Sequence, residues 1–191
     1  KLIREIIQSK FVKSKIIFID DFNKKFKNSK YLIKFFKPKS DKLFIGISDP
    51  IIQKKYYDFF KKKLKKIDNS PLIDKSVKLK SNVKIDKNVI ILENTVIGPD
   101  VIISKNSFIG SNVLINHDSS IGHFSTIGHG SNIAGNVKIK NFCYVGISNV
   151  IKQNITINNY VTTGSGSNII KNCKKKKIYA GNPAQKLNKK I

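Results

Sequence analysis

Between residues 73 and 169 an aliphatic side chain returns at every sixth position: Ile73, Leu79, Ile85, Ile91 and so on to Ile157, Thr163 and Ile169. Seventeen such positions stand in register without an insertion, and Thr163 is the one that is not aliphatic. Two residues before each comes a mostly small or β-branched side chain, as at Val83, Val89, Thr95, Ser107, Ser119 and Ser131. Glycine often follows directly, as at Gly98, Gly110, Gly122, Gly128 and Gly146. A period of six suits neither an α-helix nor a hairpin meander; it is the signature of a hexapeptide β-helix. Each hexapeptide then forms one side of a triangular prism, and eighteen residues complete a coil. The coils stack at strand spacing, about 4.8 Å.

The first seventy residues follow another grammar. Leu2, Ile3, Ile6, Ile7 and Phe11 fall on one helical face. KIIFIDDF (15–22) is a short apolar run closed by two aspartates, as a buried parallel strand would be, and KLFIGI (42–47) reads as a second strand. Ser48–Asp49–Pro50 then supplies a capping residue and a proline at the first helical position. An apolar stripe of Ile51, Ile52, Tyr56, Phe59, Phe60 and Leu64 follows. These elements make part of a small α/β domain over 1–70. Its leading strand and glycine loop would precede Lys1, and the lack of methionine implies a start upstream. The β-helix is expected over 71–172, with a basic segment and tail over 173–191.

The formal charge of +25 suggests nucleic acid until its make-up is read. Arg4 is the one arginine; every other basic residue is lysine, which lacks the bidentate fork that base readers use. The charge also sits at the two ends: residues 71–136 carry six basic and five acidic side chains, residues 137–191 eleven and none. A solvated lysine coat and an attraction for anionic small molecules are both open readings. No partnership with nucleic acid is expected. No apolar run is long enough to span a membrane, and no secretory signal is visible. Cys143 and Cys173 make neither a disulfide framework nor a zinc site, and read as reduced thiols of a cytosolic protein.

The neutral stretch INHDSSIGHFSTIGHGSNIAGN (115–136) holds all the histidines, His117, His123 and His129. Residues six apart lie on successive faces of a prism, so these three point away from one another and cannot share one ion within a subunit. No metal is expected.

INHDSSIG, IAGNVKI, GSGSNIIKN and YAGNPAQKL together resemble the left-handed β-helix (hexapeptide-repeat) acyltransferases. The branch they resemble acetylates amino sugars on nucleotide carriers, or sialic acids, in bacterial surface-glycan pathways. IFIDDF and FIGISDP look like that branch's Rossmann-like, nucleotide-binding N-terminal domain. The resemblance implies a cytoplasmic homotrimer that uses acetyl-CoA as co-substrate and a nucleotide sugar as acceptor. The alternatives it leaves are a sialic acid or sugar O-acetyltransferase and a non-catalytic scaffold.

By the same resemblance His117 is the general base and Asp118 its acidic partner. An imidazole suits the first role, since it titrates near neutrality. Gly135 matches the position whose backbone N–H faces a developing oxyanion; a tight corner of the prism is its other reading. Thr126, Ile147 and Ser165 fall where the family contacts coenzyme A, largely through backbone atoms. Many relatives carry histidine at the place of Thr126. Asp20, Asp21 and Gly46 match the sugar-nucleotide pocket, with a solvated strand end as the other reading of the aspartates. His123 and His129 lack an acidic neighbour and read as exposed turn residues. Cys143 reads as core.

Overall fold

The computed structural model describes residues 34–35, 37, 41–64, 67 and 69–188. Seventeen two-residue strands succeed one another at six-residue intervals, from β1 (Leu72–Ile73) to β17 (Asn168–Ile169). The second residue of each is the repeat position read from the sequence. Each strand up to Val150–Ile151 pairs in parallel with the one eighteen residues on, as in Leu72↔Ile90 and Thr126↔Tyr144. Three sheets result, and the chain is a parallel β-solenoid of about six coils. The first sheet includes Phe108–Ile109, Thr126–Ile127 and Tyr144–Val145. The second includes Leu114–Ile115, Asn132–Ile133 and Val150–Ile151, and the third Ile102–Ile103, Ser120–Ile121 and Lys138–Ile139.

The repeat isoleucines point inward and are fully buried from Ile91 to Ile133. Each contributes roughly 1.5–3 kcal/mol by leaving water. The small residues two places earlier fill the rest of the interior. Where they are polar their hydroxyls are paired: Ser125 Oγ donates to Lys140 O at 2.7 Å and accepts from Cys143 N at 3.0 Å. Most corners place one residue in the left-handed region, where the non-glycine residues have φ of 53–61°. Asn and Asp fill most of these places, because their short polar side chains tolerate that region best. Phe124, Phe142 and Tyr160 are exceptions at one edge, where they stack with ring centroids 5.4 and 4.9 Å apart.

Helix α1 (Pro50–Leu64) starts as its sequence suggests, with Asp49 Oδ1 accepting from the N–H groups of Ile51 and Ile52 at 2.9 Å each. Its buried line is Gln53, Tyr57, Phe60 and Leu64, with Tyr57 edge-on to Phe124 at 5.5 Å. Of the expected stripe, Phe60 and Leu64 are buried and Tyr56 is half-buried, while Ile51, Ile52 and Phe59 face outward. The aromatic edge under the helix, not the richest apolar face of the helix, decides which side is covered.

No strand forms over 42–47. Phe44 packs on Leu72, Ile90, Leu92 and Phe108 on the outside of the first sheet, while Leu43 and Ile45 turn towards α1. The run is covered by contact with the solenoid rather than by sheet pairing. Helix α1 is therefore the one element of the N-terminal part whose bounds are described. The helix and strand expected before residue 33, with Asp20 and Asp21, lie outside the described residues.

The lysine run Lys174–Lys177 is the last corner of the solenoid, with Lys176 at φ 55°. Strand β18 (Ile178–Gly181) then pairs in parallel with Thr162–Thr163 and antiparallel with β19 (Ala184–Leu187). Residues 173–188 thus close the solenoid with a hairpin.

Candidate active site

Eighteen residues separate His117 from Gly135, so they stack one coil apart on the edge between the second and third sheets. His117 and Asp118 both stand with 60% of their side chains exposed, and His117 Nδ1 lies 2.8 Å from Asp118 Oδ2. A carboxylate there accepts from the protonated Nδ1, which leaves the lone pair on Nε2. Asp118 sits in the left-handed region at φ 59°, one of the corner positions. Its backbone is tied by Asp118 N donating to Pro99 O at 3.1 Å.

Nε2 lies against Gly135. A Cβ built on that glycine would meet Nε2 at 2.5 Å and Cε1 at 2.6 Å, so any side chain there displaces the ring. The left-handed φ of this corner falls on Asn136, not on Gly135, so glycine is needed for the close approach. Gly135 is buried, and among the described residues its N–H donates to no protein acceptor. Ser119, a residue the sequence reading did not assign to the site, donates from Oγ to Ala134 O at 3.0 Å inside the solenoid. Because the peptide is trans and planar, holding the Ala134 carbonyl inward turns the Gly135 N–H outward.

His123 and His129 follow strands of the third and first sheets, so the three histidines occupy three edges. Both are half-buried rather than exposed. His129 Nδ1 accepts from Ser111 N at 2.9 Å and its ring meets Phe108 edge-on at 6.5 Å. Asn141 Oδ1 and Asn159 Oδ1 do the same for the N–H groups of His123 and Asn141 at another edge. His129 therefore serves as a corner cap.

Ile147 and Ser165 lie eighteen residues apart on the edge between the first and second sheets. Both are exposed, and among the described residues neither N–H donates to a protein acceptor. Glycines precede both. A Cβ at Gly146 would meet Thr163 O at 2.7 Å. Thr126 is elsewhere: 2% exposed on the first sheet, it donates from Oγ1 to Ser48 O at 2.5 Å and from its N–H to Cys143 O at 2.8 Å. Gly46 is exposed in the run that crosses the same sheet. Cys143 and Cys173 are buried and free, and burial pushes their thiols up to about 11 and about 12. Among the described residues no helix is long and apolar enough to cross a membrane.

The sequence pattern of the family described as "GMPPB C-terminal domain" matches residues 67–179, and the chain belongs to that family. No curated protein matches it in sequence. Among solved structures it is similar to the acetyltransferase domain of PglB from Neisseria gonorrhoeae FA1090, at 18% identity and TM-score 0.88 over 97% of this chain and 93% of that one. That domain is also known in complex with acetyl coenzyme A. It is likewise similar to PerB from Caulobacter crescentus in complex with CoA and GDP-perosamine, at 16% identity and TM-score 0.89 over 98% and 91% of the two chains. A mutant of AntD, an N-acyltransferase from Bacillus cereus, in complex with dTDP-4-amino-4,6-dideoxyglucose and coenzyme A, matches at 19% identity and TM-score 0.58. That match covers 69% of this chain and 89% of AntD.

Proposed function

We propose that this chain is an acetyl-CoA-dependent acetyltransferase that modifies the amino group of a nucleotide-linked amino sugar. The observation that carries this reading is the His117–Asp118 pair, with its free Nε2 laid across Gly135. Acetyl-CoA supplies the activated acetyl thioester. His117 Nε2 takes the proton of the attacking amine, and Asp118 holds the imidazole in the tautomer that leaves this atom unprotonated. The Gly135 N–H, turned outward by Ser119, donates to the oxygen on which negative charge develops. The imidazolium then returns its proton to the departing thiolate.

Two outward N–H groups on a glycine-backed edge, at Ile147 and Ser165, suit a ligand with spaced carbonyl acceptors, as the pantetheine arm of coenzyme A has. The acceptor class follows the ligands of PerB and AntD, both nucleotide-linked amino sugars. Gly46, with Asp20 and Asp21, is assigned to that acceptor.

Within one chain these pieces are separated. His117 and Gly135 stand on one edge, Ile147 and Ser165 on another, and Gly46 lies over the first sheet, across the prism from His117. A closed ring of three left-handed prisms brings one chain's edge to its neighbour's, so the site is completed between subunits of a homotrimer. The buried free thiols suit a cytosolic enzyme.

The test is thiol release from acetyl-CoA across UDP-, dTDP- and GDP-linked amino sugars and free sialic acid. Turnover with a nucleotide-linked amino sugar is expected. Turnover with sialic acid alone would make it an O-acetyltransferase, and no release with any acceptor would leave a scaffold.

A further inference from the structure

Asn149 is out of place by composition. It is fully buried, in the inward column whose other members, one coil apart, include Thr95, Val113, Ser131 and Ser167. Its Nδ2 lies 2.9 Å from Gly146 O and 2.8 Å from Gly164 O, with Ile147 O at 3.2 Å. Three carbonyls around one group fix which end of the amide faces them, since the NH₂ alone can donate. The price is a buried Oδ1 without a partner. The serines one coil below and above each hold one of these carbonyls: Ser131 Oγ reaches Gly146 O at 3.1 Å and Ser167 Oγ reaches Gly164 O at 2.7 Å. Neither hydroxyl grips both coils at once. Asn149 does.

The two gripped carbonyls belong to the peptides 146–147 and 164–165. In a planar trans peptide the N–H points opposite to the C=O. A carbonyl drawn inward therefore sends the N–H of Ile147 or Ser165 outward. We propose that Asn149 is a positioning residue for coenzyme A, tying these two peptide planes together so that both N–H groups face the ligand at a fixed spacing. The inference rests on the proposed function and adds to it a buried residue that touches no substrate. It matters because pre-set donors cost less to order when a ligand binds.

The test is calorimetric binding of CoA to the full chain, alongside the Michaelis constants for acetyl-CoA and the nucleotide sugar. Asn149→Val should weaken CoA binding by about tenfold, the effect of one or two neutral hydrogen bonds losing their alignment. The constant for the nucleotide sugar should stay within twofold. Asn149→Ser copies the residues directly below and above in the column, Ser131 and Ser167. It should weaken CoA binding by a smaller factor of about three. Ser107→Val is the control, because Ser107 Oγ holds Ser104 O and Gly122 O at an edge without the proposed site. It should lower stability and leave the CoA constant unchanged. If both Asn149 variants bind CoA as wild type does, or if Ser107→Val weakens CoA equally, Asn149 is merely structural and the inference is overturned. A wild-type chain that binds no CoA overturns the parent reading instead.

Discussion

The imidazole of His117 occupies the space that a side chain on Gly135 would fill: Nε2 lies 2.5 Å from where that Cβ would stand. The base and the outward N–H beside it are thus set by one stacking relationship between two coils. Gly135→Ala tests it. The methyl group displaces an exposed ring whose one side-chain partner is the equally exposed Asp118, so stability should change by no more than about 0.5 kcal/mol. Thiol release should fall by roughly 10²–10⁴, the cost of losing a placed base. Unaltered turnover with an intact fold would separate Gly135 from the chemistry.

The three histidines should respond differently. His117→Ala is expected to lower kcat by about 10²–10⁴, while His123→Ala keeps most activity. His129→Ala should also keep most activity but lose about 1 kcal/mol of stability, because Ser111 N loses its acceptor. His129→Asn should restore that stability, since Asn141 and Asn159 cap neighbouring coils in the same way. Urea unfolding and thiol release, run on the same preparations, separate the two effects. His123→Ala as inactive as His117→Ala would defeat the assignment.

The solenoid was legible because a period of six checks itself seventeen times, and every repeat position coincides with the second residue of a strand. The stacking of His117 on Gly135 was legible too, as a separation of eighteen, but it needs the coil length to be applied to the motif. Three features were not legible. The covered face of α1 depends on the ring of Phe124 beneath it, a contact 67 residues away in sequence from Tyr57. The run 42–47 has a strand's composition, yet Phe44 buries itself against the first sheet's outer face. Thr126 matches a family position, but its hydroxyl is taken by Ser48, and that pairing of strand and loop leaves no trace in spacing.

The two thiols make stability fall at high pH. Both ionise less readily folded, at about 11 and about 12, than at the ordinary 9.0, so the folded chain keeps protons that the unfolded chain has lost. The contribution is complete below pH 9.0 and declines as pH rises towards the folded values of about 11 and about 12. Lysines and tyrosines titrate there as well, so the readout is a difference. Wild type should lose more stability between about pH 8 and about pH 10.5 than the double variant Cys143→Val, Cys173→Val. Equal losses would mean that the thiols are reached by water.

The donors proposed for coenzyme A can be removed one at a time without reshaping the corner. Pro99 follows Gly98 at the same place in its hexapeptide that Ser165 takes after Gly164. That corner position therefore accepts proline, whose fixed φ suits the first central place of a turn. Ser165→Pro should fold normally and delete one N–H. Its expected effect is a rise of about tenfold in the CoA dissociation constant, with the nucleotide-sugar constant unmoved. A normal CoA constant would assign the contact to another edge.

Sites shared between subunits make one further demand. If His117 of one chain works with Ile147 and Ser165 of its neighbour, two variants that turn over poorly at acetyl-CoA well below saturation carry complementary defects. His117→Ala alone lacks the base in every site; the double variant Ile147→Pro, Ser165→Pro alone lacks the coenzyme donors in every site. In a mixed trimer some interfaces pair the intact His117 edge of one chain with the intact 147 and 165 edge of the other. For random assembly from equal amounts, about one interface in four is intact on both sides, because each side is intact with a chance of about one half. Dissociating and reassembling the mixture should therefore recover roughly a quarter of wild-type turnover. If each site lay within one chain, every site in the mixture would carry one of the two defects. Reassembly confirmed by light scattering, with no recovered thiol release, would confine the chemistry to single chains.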